Sequence, residues 1–546
     1  MKKRKSIAIC LAAAAAGIVT SVSAVKAISE TEDSRKQTDI ETAALTKEQE
    51  MSLQKIKETY NVSKQEETAR ELEEKKNSQN YTADNMLTVY DPFGTNTQSL
   101  YVYFNTDEAV SAAYTVHAAG EAAGDFSRQV YEDGTYETEH EFQVIGLVPD
   151  TVNHITITLT AEDGTVTERE IDHEMGSLLG TKEMQLDVTE KGNAAELEDG
   201  LYVVLGNDST ALDFIYYYDN EGTLRGEVPI LGYRGHRLIF DDDHMYYSIS
   251  ETKMAQVNRV GQVTNVDDLG NYDLHHDYVF DNDGNMLILA SDQTQDSIED
   301  IILCLDTDTG GVTETLDLEE LFGSYKDECT ADDDGELDWM HINTIQWLGD
   351  GDILLSSRET SSIIKVEDLY GTPEVSYIIG SKSFWEDTEY ESLVLEQNGD
   401  FTVQGGQHSV TYVEDDSLGG GRYYLYMYNN NIGMSETNPD FDWASEGLTE
   451  DSAKEGETSY YYEYLVDEDA GTFELTDSFE VPYSGYVSSA QNLETNTVID
   501  SGFKGLFAEY DKDHELIASY TMNVEKFIYR VYKYNFDGFY FNRKKS

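Results

Sequence analysis

Beyond residue 85 the apolar residues alternate with polar ones in short runs, without helical spacing. Residues 100–105, 113–117, 141–147, 154–161 and 166–171 are such runs, with turn residues between them. Alternation at period two buries one face of a strand and wets the other. Residues 86–178 therefore predict a small β-sandwich. Over 198–546 the pattern acquires a longer rhythm. A strand, an acidic or glycine turn and a second strand recur six times, at 214–228, 256–266, 302–318, 363–379, 461–479 and 506–522. The turns include Asp219-Asn220-Glu221-Gly222, Asp306-Thr307-Asp308-Thr309-Gly310 and Asp511-Lys512-Asp513. Further hairpins precede several of these units, at 278–289 around Asp283-Gly284-Asn285 and at 345–356 around Asp350-Gly351-Asp352. Two hairpins make one four-stranded blade, so the repeat predicts a six-bladed β-propeller. The expected fold is all-β, a propeller preceded by the sandwich. The first strand of each blade lines the central channel, and functional side chains belong just before or within those strands.

The N-terminal part reads differently. Residues 28–85 are charged and poor in glycine, and Thr46-Lys47-Glu48-Gln49 has the capping-box pattern ahead of Leu53, Ile56 and Tyr60 at helical spacing. A short helical segment is expected there, exposed as a linker or spacer. Lys2, Lys3, Arg4 and Lys5 precede an apolar stretch at 7–19, with small-residue cleavage sites ending at Ala24 or Ala27. Residues 1–27 thus predict a signal peptide, and the mature chain a secreted, extracellular or periplasmic protein with no membrane segment.

Charge narrows the function classes. Asp and Glu total 107 against 37 Lys and Arg, a formal net charge of −70, and removal of 1–27 takes away only cations. Nucleic acid and anionic membrane surfaces need clustered cations, so neither is an expected partner. Cys304 and Cys329 are the two cysteines outside the leader, and either a disulfide or two thiols is compatible with their spacing.

Against this acidic background four of the 11 histidines stand at corresponding places. His275 and His276, His341, and His408 each sit where a blade opens. His276 precedes Gly284 by eight residues, as Asn343 precedes Gly351, and His341 lies two residues before Asn343. By this phase His276 points into the channel and His275 away. Arg358 ends the second strand of the same blade as Asn343. Imidazoles, an amide and a guanidinium converging on one channel mouth suit a tetrahedral oxyanion, and a histidine can carry a transferred group as a nucleophile. Three imidazoles also suit a transition-metal ion such as zinc. A metal-dependent propeller hydrolase of the lactonase kind and a non-catalytic binding propeller are the alternative functions.

These residues resemble a known family. Asp338-Trp339-Met340-His341-Ile342-Asn343, then Ser356-Ser357-Arg358, with His275-His276-Asp277 upstream and Gly406-Gln407-His408 downstream, look like the bacterial aryl-sulfate sulfotransferases. Thr106-Asp107 and Ile145-Gly146-Leu147-Val148-Pro149-Asp150 are similar to the β-sandwich that precedes the propeller in that family. The resemblance implies transfer of a sulfuryl group from a phenolic sulfate ester to a phenol, without 3′-phosphoadenosine-5′-phosphosulfate, through a sulfohistidine and ping-pong kinetics. His408 matches the nucleophile. His276, His341 and Arg358 match catalytic positions, and Asn343 a sulfate-holding one, with His275 beside them as a substrate-binding candidate. No cofactor or metal ligand is implied, and a homodimer is. The chain lacks the Gly-x-x-x-x-Gly-Lys loop of nucleotide binders.

One stretch departs from the family pattern. Residues 413–420 form a long acidic and glycine-rich loop after His408 where the family has a short Pro-Asn-Gly turn, and Tyr428-Asn429-Asn430-Asn431 stands where the family ends in Phe-Asp-Asn-Gly. Asp281-Asn282-Asp283-Gly284-Asn285 and Asp332-Asp333-Asp334-Gly335 look like calcium-ligand runs, but ordinary turn chemistry accounts for them better than a structural calcium does.

Overall fold

The computed structural model describes residues 46–544, apart from 121–122, 207–211, 242 and 333–334. The signal peptide expected at 1–27 lies outside the described residues. Among them no helix is long and apolar enough to cross a membrane.

The helical segment consists of two helices, α1 (Lys47–Thr59) and α2 (Val62–Ser78). The capping box forms as the sequence predicts. Gln49 N–H donates to Thr46 Oγ1 at 3.2 Å, and Thr46 N–H to Gln49 Oε1 at 2.9 Å. The helices are not a solvated spacer. Ile56 and Leu72 are buried. The Tyr60 hydroxyl is also buried, donating to Pro229 O at 2.6 Å and lying 3.1 Å from the Tyr247 hydroxyl. The charged surface of these helices conceals a narrow apolar seam that docks on the propeller.

In the N-terminal domain one long strand, Ser99–Ala118, changes partners midway. Residues 99–105 pair with Leu87–Tyr90 and Glu137–Ile145, and residues 110–118 with Phe126–Gln129 and Thr151–Ala161. A strand shared in this way lets two layers form from six strands.

Six further sheets make the propeller. From the axis outward, blade 1 is Val531–Tyr534, Leu201–Val204, Phe214–Tyr218 and Leu224–Pro229. Blade 2 is Ile239–Asp241, His244–Ser250, Lys253–Asn258 and Val263–Asp268. Blade 3 is Tyr272–Phe280, Met286–Asp292, Ile301–Asp306 and Gly311–Asp317. Blade 4 is Ile342–Gly349, Asp352–Ser357, Ser362–Glu367 and Glu374–Ile379. Blade 5 is His408–Val413, Arg422–Asn429, Thr458–Asp467 and Thr472–Pro482, with Glu396–Gln397 added outside. Blade 6 is Ser489–Asn492, Thr497–Ser501, Leu506–Tyr510 and Leu516–Thr521. The six hairpins read from the repeat are the third and fourth strands, counted from the axis, of the six blades. Closure uses both ends of the repeat. Val531–Tyr534 supplies the innermost strand of blade 1, and Asp187–Glu190 the outermost of blade 6.

The tyrosines fill the wedges between blades. Tyr377 of blade 4 packs with Tyr462 and Tyr464 of blade 5, and Tyr428 and Tyr461 with Ile499 and Ala508 of blade 6. Each such burial contributes about 1.5–3 kcal/mol. The acidic turns are explained by local hydrogen bonding. Asp219 Oδ1 accepts the N–H groups of Glu221 and Thr223, Asp281 Oδ1 those of Asp283 and Asn285, and Asp511 Oδ1 those of Asp513 and Glu515. An aspartate opening the turn satisfies two amides that the hairpin leaves over, and Gly222 and Gly284 supply the left-handed residue. Cys304 and Cys329 are two separate thiols.

Candidate active site

The innermost strands of blades 3, 4 and 5 lie side by side, and each begins irregularly. The pairing register shifts between Leu274 and Tyr278, between Ile342 and Thr344, and between His408 and Thr411. A left-handed residue marks each place: His276 at φ 51°, His341 at 46° and Ser409 at 51°. Backbone of this kind is costly for residues with a side chain, and its repetition in three blades turns consecutive side chains toward one place.

His275 and His276 show the result. The phase of a regular strand sends His275 away from the channel. The bulge overturns that expectation, because both rings are buried and both reach the same carboxylate, Glu299. Glu299 sits in the loop between the second and third strands of blade 3, itself left-handed at φ 56°. Its N–H donates to Ser291 Oγ at 2.8 Å, and its carbonyl accepts Ile342 N–H at 3.2 Å. Its Oε2 lies 3.1 Å from His276 Nε2 and 3.0 Å from His341 Nδ1. The His276 and His341 rings are 4.9 Å apart.

His341 is held between two acids, because its Nδ1 also bonds Asp338 Oδ2. Arg358 completes this side. Its N–H donates to His341 O at 3.1 Å, and its Nη2 stands 3.5 Å from Asp338 and 3.8 Å from Glu359. Glu359 Oε1 in turn accepts from Ser435 Oγ, Thr437 N–H and Thr437 Oγ1 at 2.7–2.9 Å.

The electrostatics follow from burial and these partners. Burial works most strongly against charge on His341, but Asp338 and Glu299 override it and hold the ring well above the ordinary imidazole range. Burial likewise opposes ionisation of Glu299, and the imidazoles around it reverse that and keep the carboxyl well below its usual range. Burial pushes Asp338 up to about 7, and lowers His275 to about 3 and His276 to about 4. At neutral pH His341 therefore carries a proton against the Glu299 carboxylate.

His408 stands on the next inner strand and is positioned separately. Its Nδ1 lies 3.0 Å from Gly406 O and 2.9 Å from Asn430 Oδ1. The amide orientation is unambiguous, because Asn430 Nδ2 donates to Ser484 O at 2.8 Å and to Val487 O at 3.0 Å. Two acceptors facing Nδ1 require the proton there, so Nε2 is the lone-pair nitrogen. Gly406-Gln407 shapes this corner. Gly406 has φ 59°, and a Cβ on it would meet Ile432 Cγ2 at 2.6 Å. Gln407 Nε2 donates to Ser356 Oγ, Ser357 O and Ser362 O. Asn343 Nδ2 donates to Gln407 O at 2.8 Å. One amide hydrogen of Asn343 is thus committed to the backbone before His408, which ties that histidine to the blade carrying His341.

The structure therefore gathers His275, His276 and His341 around Glu299, with Arg358 joined through Asp338, and links His408 to them through Asn343. Sequence reasoning missed Glu299, Asn430 and the part played by Asp338. Glu299 occupies the loop that corresponds, one blade earlier, to the loop carrying Arg358, which was the one available signal.

Two family models match the chain. Arylsulfotransferase (ASST) covers residues 187–534, and the arylsulfotransferase Ig-like domain covers residues 87–176. No curated protein matches it. Among solved structures the chain is similar to a candidate 6-phosphogluconolactonase from Bacteroides fragilis NCTC 9343, at 11% identity and TM-score 0.33, covering 79% of this chain and 99% of that one. It is also similar to BamB from Moraxella catarrhalis, at 10% identity and TM-score 0.29, covering 63% and 92%. A third is dihydro-heme d1 dehydrogenase NirN in complex with DHE, at 12% identity and TM-score 0.31, covering 64% and 80%.

Proposed function

The chain belongs to the arylsulfotransferase family and is a sulfotransferase enzyme, and from that premise we propose that it works in two half-reactions through His408, without a nucleotide donor. Its substrates are small aryl sulfates and phenols.

In the first half-reaction His408 Nε2 attacks the sulfur of an aryl sulfate. The N–S bond forms as the aryl O–S bond breaks, and the electron pair leaves with the aryl oxygen. His341 gives that oxygen the proton from its Nε2, since its Nδ1–H is engaged by Glu299 and Asp338. Arg358 balances charge on the sulfonate oxygens, as a planar guanidinium does well. In the second half-reaction a phenol returns its proton to His341 and attacks the same sulfur, freeing His408. A loose transition state with charge on the departing oxygen suits this division of labour.

Glu299 and Asp338 act by holding the proton on His341, and His276 stands against Glu299 on the other side. Asn343 acts through the Gln407 carbonyl on the placement of His408. His275 has no step in this scheme. We also propose export, on the strength of the basic and apolar pattern at 1–27.

The observation that carries this reading is the pair of acceptors at His408 Nδ1, which leaves Nε2 as the nucleophilic nitrogen. The test is incubation with 4-nitrophenyl sulfate and a phenol in the presence of EDTA. Nitrophenol release should depend on the phenol and vanish in His408→Ala. Mass spectrometry of the quenched first half-reaction should find one sulfuryl group on the peptide containing His408. Sulfate on another peptide, or phenol-independent release beyond one nitrophenol per enzyme, would refute it.

A further inference from the structure

The histidine that the transfer scheme leaves idle points to a second capability of this corner of the channel. His275 is only 4% exposed, yet neither ring nitrogen makes a well-formed hydrogen bond within the protein. Burial of an imidazole without well-formed hydrogen bonds is costly. The carbonyl of Ala290 is the acceptor next to the ring, so one nitrogen carries the hydrogen toward it and the other presents a lone pair. A nitrogen of His275, one of His276 and an oxygen of Glu299 all lie within 4.8 Å of one another.

The hydrogen-bond arithmetic at His276 leads to the same space. The Tyr529 hydroxyl donates to His276 O at 3.0 Å and lies 3.0 Å from His276 Nδ1. With its single proton given to a carbonyl that can only accept, the hydroxyl accepts from Nδ1–H. The neutral ring then turns a lone pair on Nε2 toward Glu299 Oε2, 3.1 Å away. Two lone pairs facing each other, with a third from His275, need a cation between them.

We infer that His275, His276 and Glu299 form a binding site for a divalent transition-metal ion. Two imidazole nitrogens and one carboxylate oxygen are a common donor set for zinc, and the same set with open positions takes ferrous iron. The backbone outlay fits such a site. His276 and Glu299 are both left-handed, and both are anchored outside the donor cluster, Glu299 through Ser291 and His276 through Tyr529. Partners of this kind orient metal ligands from behind. The inference shares His276 and Glu299 with the transfer reading, but the two fail separately, because His408 is not a ligand and the transferase test is run in EDTA.

The experiment uses full-length, metal-stripped protein titrated with zinc chloride by calorimetry, in excess magnesium to mask the acidic surface. One zinc ion should bind per chain. His275→Ala and Glu299→Gln should each weaken binding by about 10–100-fold, whereas His408→Ala should leave it unchanged. Crystals of the zinc-loaded wild-type protein should give an anomalous peak bounded by the three donors, a result that does not depend on how well any variant folds. No stoichiometric binding, equal binding by the His275 and Glu299 variants, or a peak elsewhere would each overturn the inference.

Discussion

Asn430 Oδ1 lies 2.9 Å from His408 Nδ1, and the Asn430 amide nitrogen is spent on the carbonyls of Ser484 and Val487. This chain of contacts crosses from blade 5 to the connection leading into blade 6, and it determines which nitrogen of His408 is nucleophilic. Replacing Asn430 by Ala leaves Gly406 O as the one remaining acceptor. The expected result is a fall in kcat of about 10–100-fold, equivalent to 1.4–2.7 kcal/mol, with KM little changed. A fall confined to KM would show that Asn430 acts on substrate binding instead.

His341→Gln should be sensitive to the leaving group. A proton donor matters most when the departing phenolate is basic. Phenyl sulfate should lose about 10²–10⁴-fold in kcat/KM, and 4-nitrophenyl sulfate much less. Equal losses for both donors would remove His341 from the acid role.

Asp500 makes a separate prediction about stability. Its carboxyl is fully buried with neither oxygen hydrogen-bonded, and burial, only partly offset by Arg530, holds it well above the usual aspartate range. The folded state keeps the proton that the unfolded chain loses near pH 4. Stability is therefore lost as pH rises above about 4, by roughly 1.4 kcal/mol per pH unit, until the folded carboxyl itself ionises. Asp500→Asn should abolish that slope in urea unfolding measured across pH. Parallel profiles for the two proteins would contradict it.

Tyr60→Phe removes a buried hydroxyl bonded to Pro229 O and adjacent to Tyr247. A loss of about 1–3 kcal/mol is expected, since a buried acceptor is left unsatisfied. Transfer activity at a temperature well below unfolding should be unaffected, because the Tyr60 hydroxyl bonds to Pro229 of blade 1 and Tyr247 of blade 2 and not to the strands that bear the histidines. An unchanged melting temperature would mean that the helices contribute nothing to the propeller.

The repeat was legible because the outer hairpins of blades 1, 3 and 6 open with an aspartate serving two turn amides, and that of blade 2 with Asn258 doing the same, so one chemistry recurs from corner to corner. His408 and Arg358 were legible for a similar reason, being cations and imidazoles in a chain of 107 acids. Glu299 was hidden by that same excess, since one acid among so many carries no signal. The direction of His275 was misread because strict alternation holds only for a regular pleat, and the pairing of this strand shifts register between Leu274 and Tyr278. The docking of α1 and α2 was concealed because a seam as narrow as Ile56, Tyr60 and Leu72 is outvoted by the charged residues around it.

The way the ring is fastened sets the order in which the enzyme can come into being. Lys533 Nζ reaches the Tyr202 hydroxyl across 331 residues of chain, and the strand to which it belongs is the inner wall of blade 1. During synthesis every histidine of the site emerges from the ribosome well before that strand does. Contacts so distant in sequence form late and slowly. The pocket is therefore assembled from parts that must wait for their fastening, and the arrival of that closing strand, not the appearance of the reactive residues, times the onset of activity.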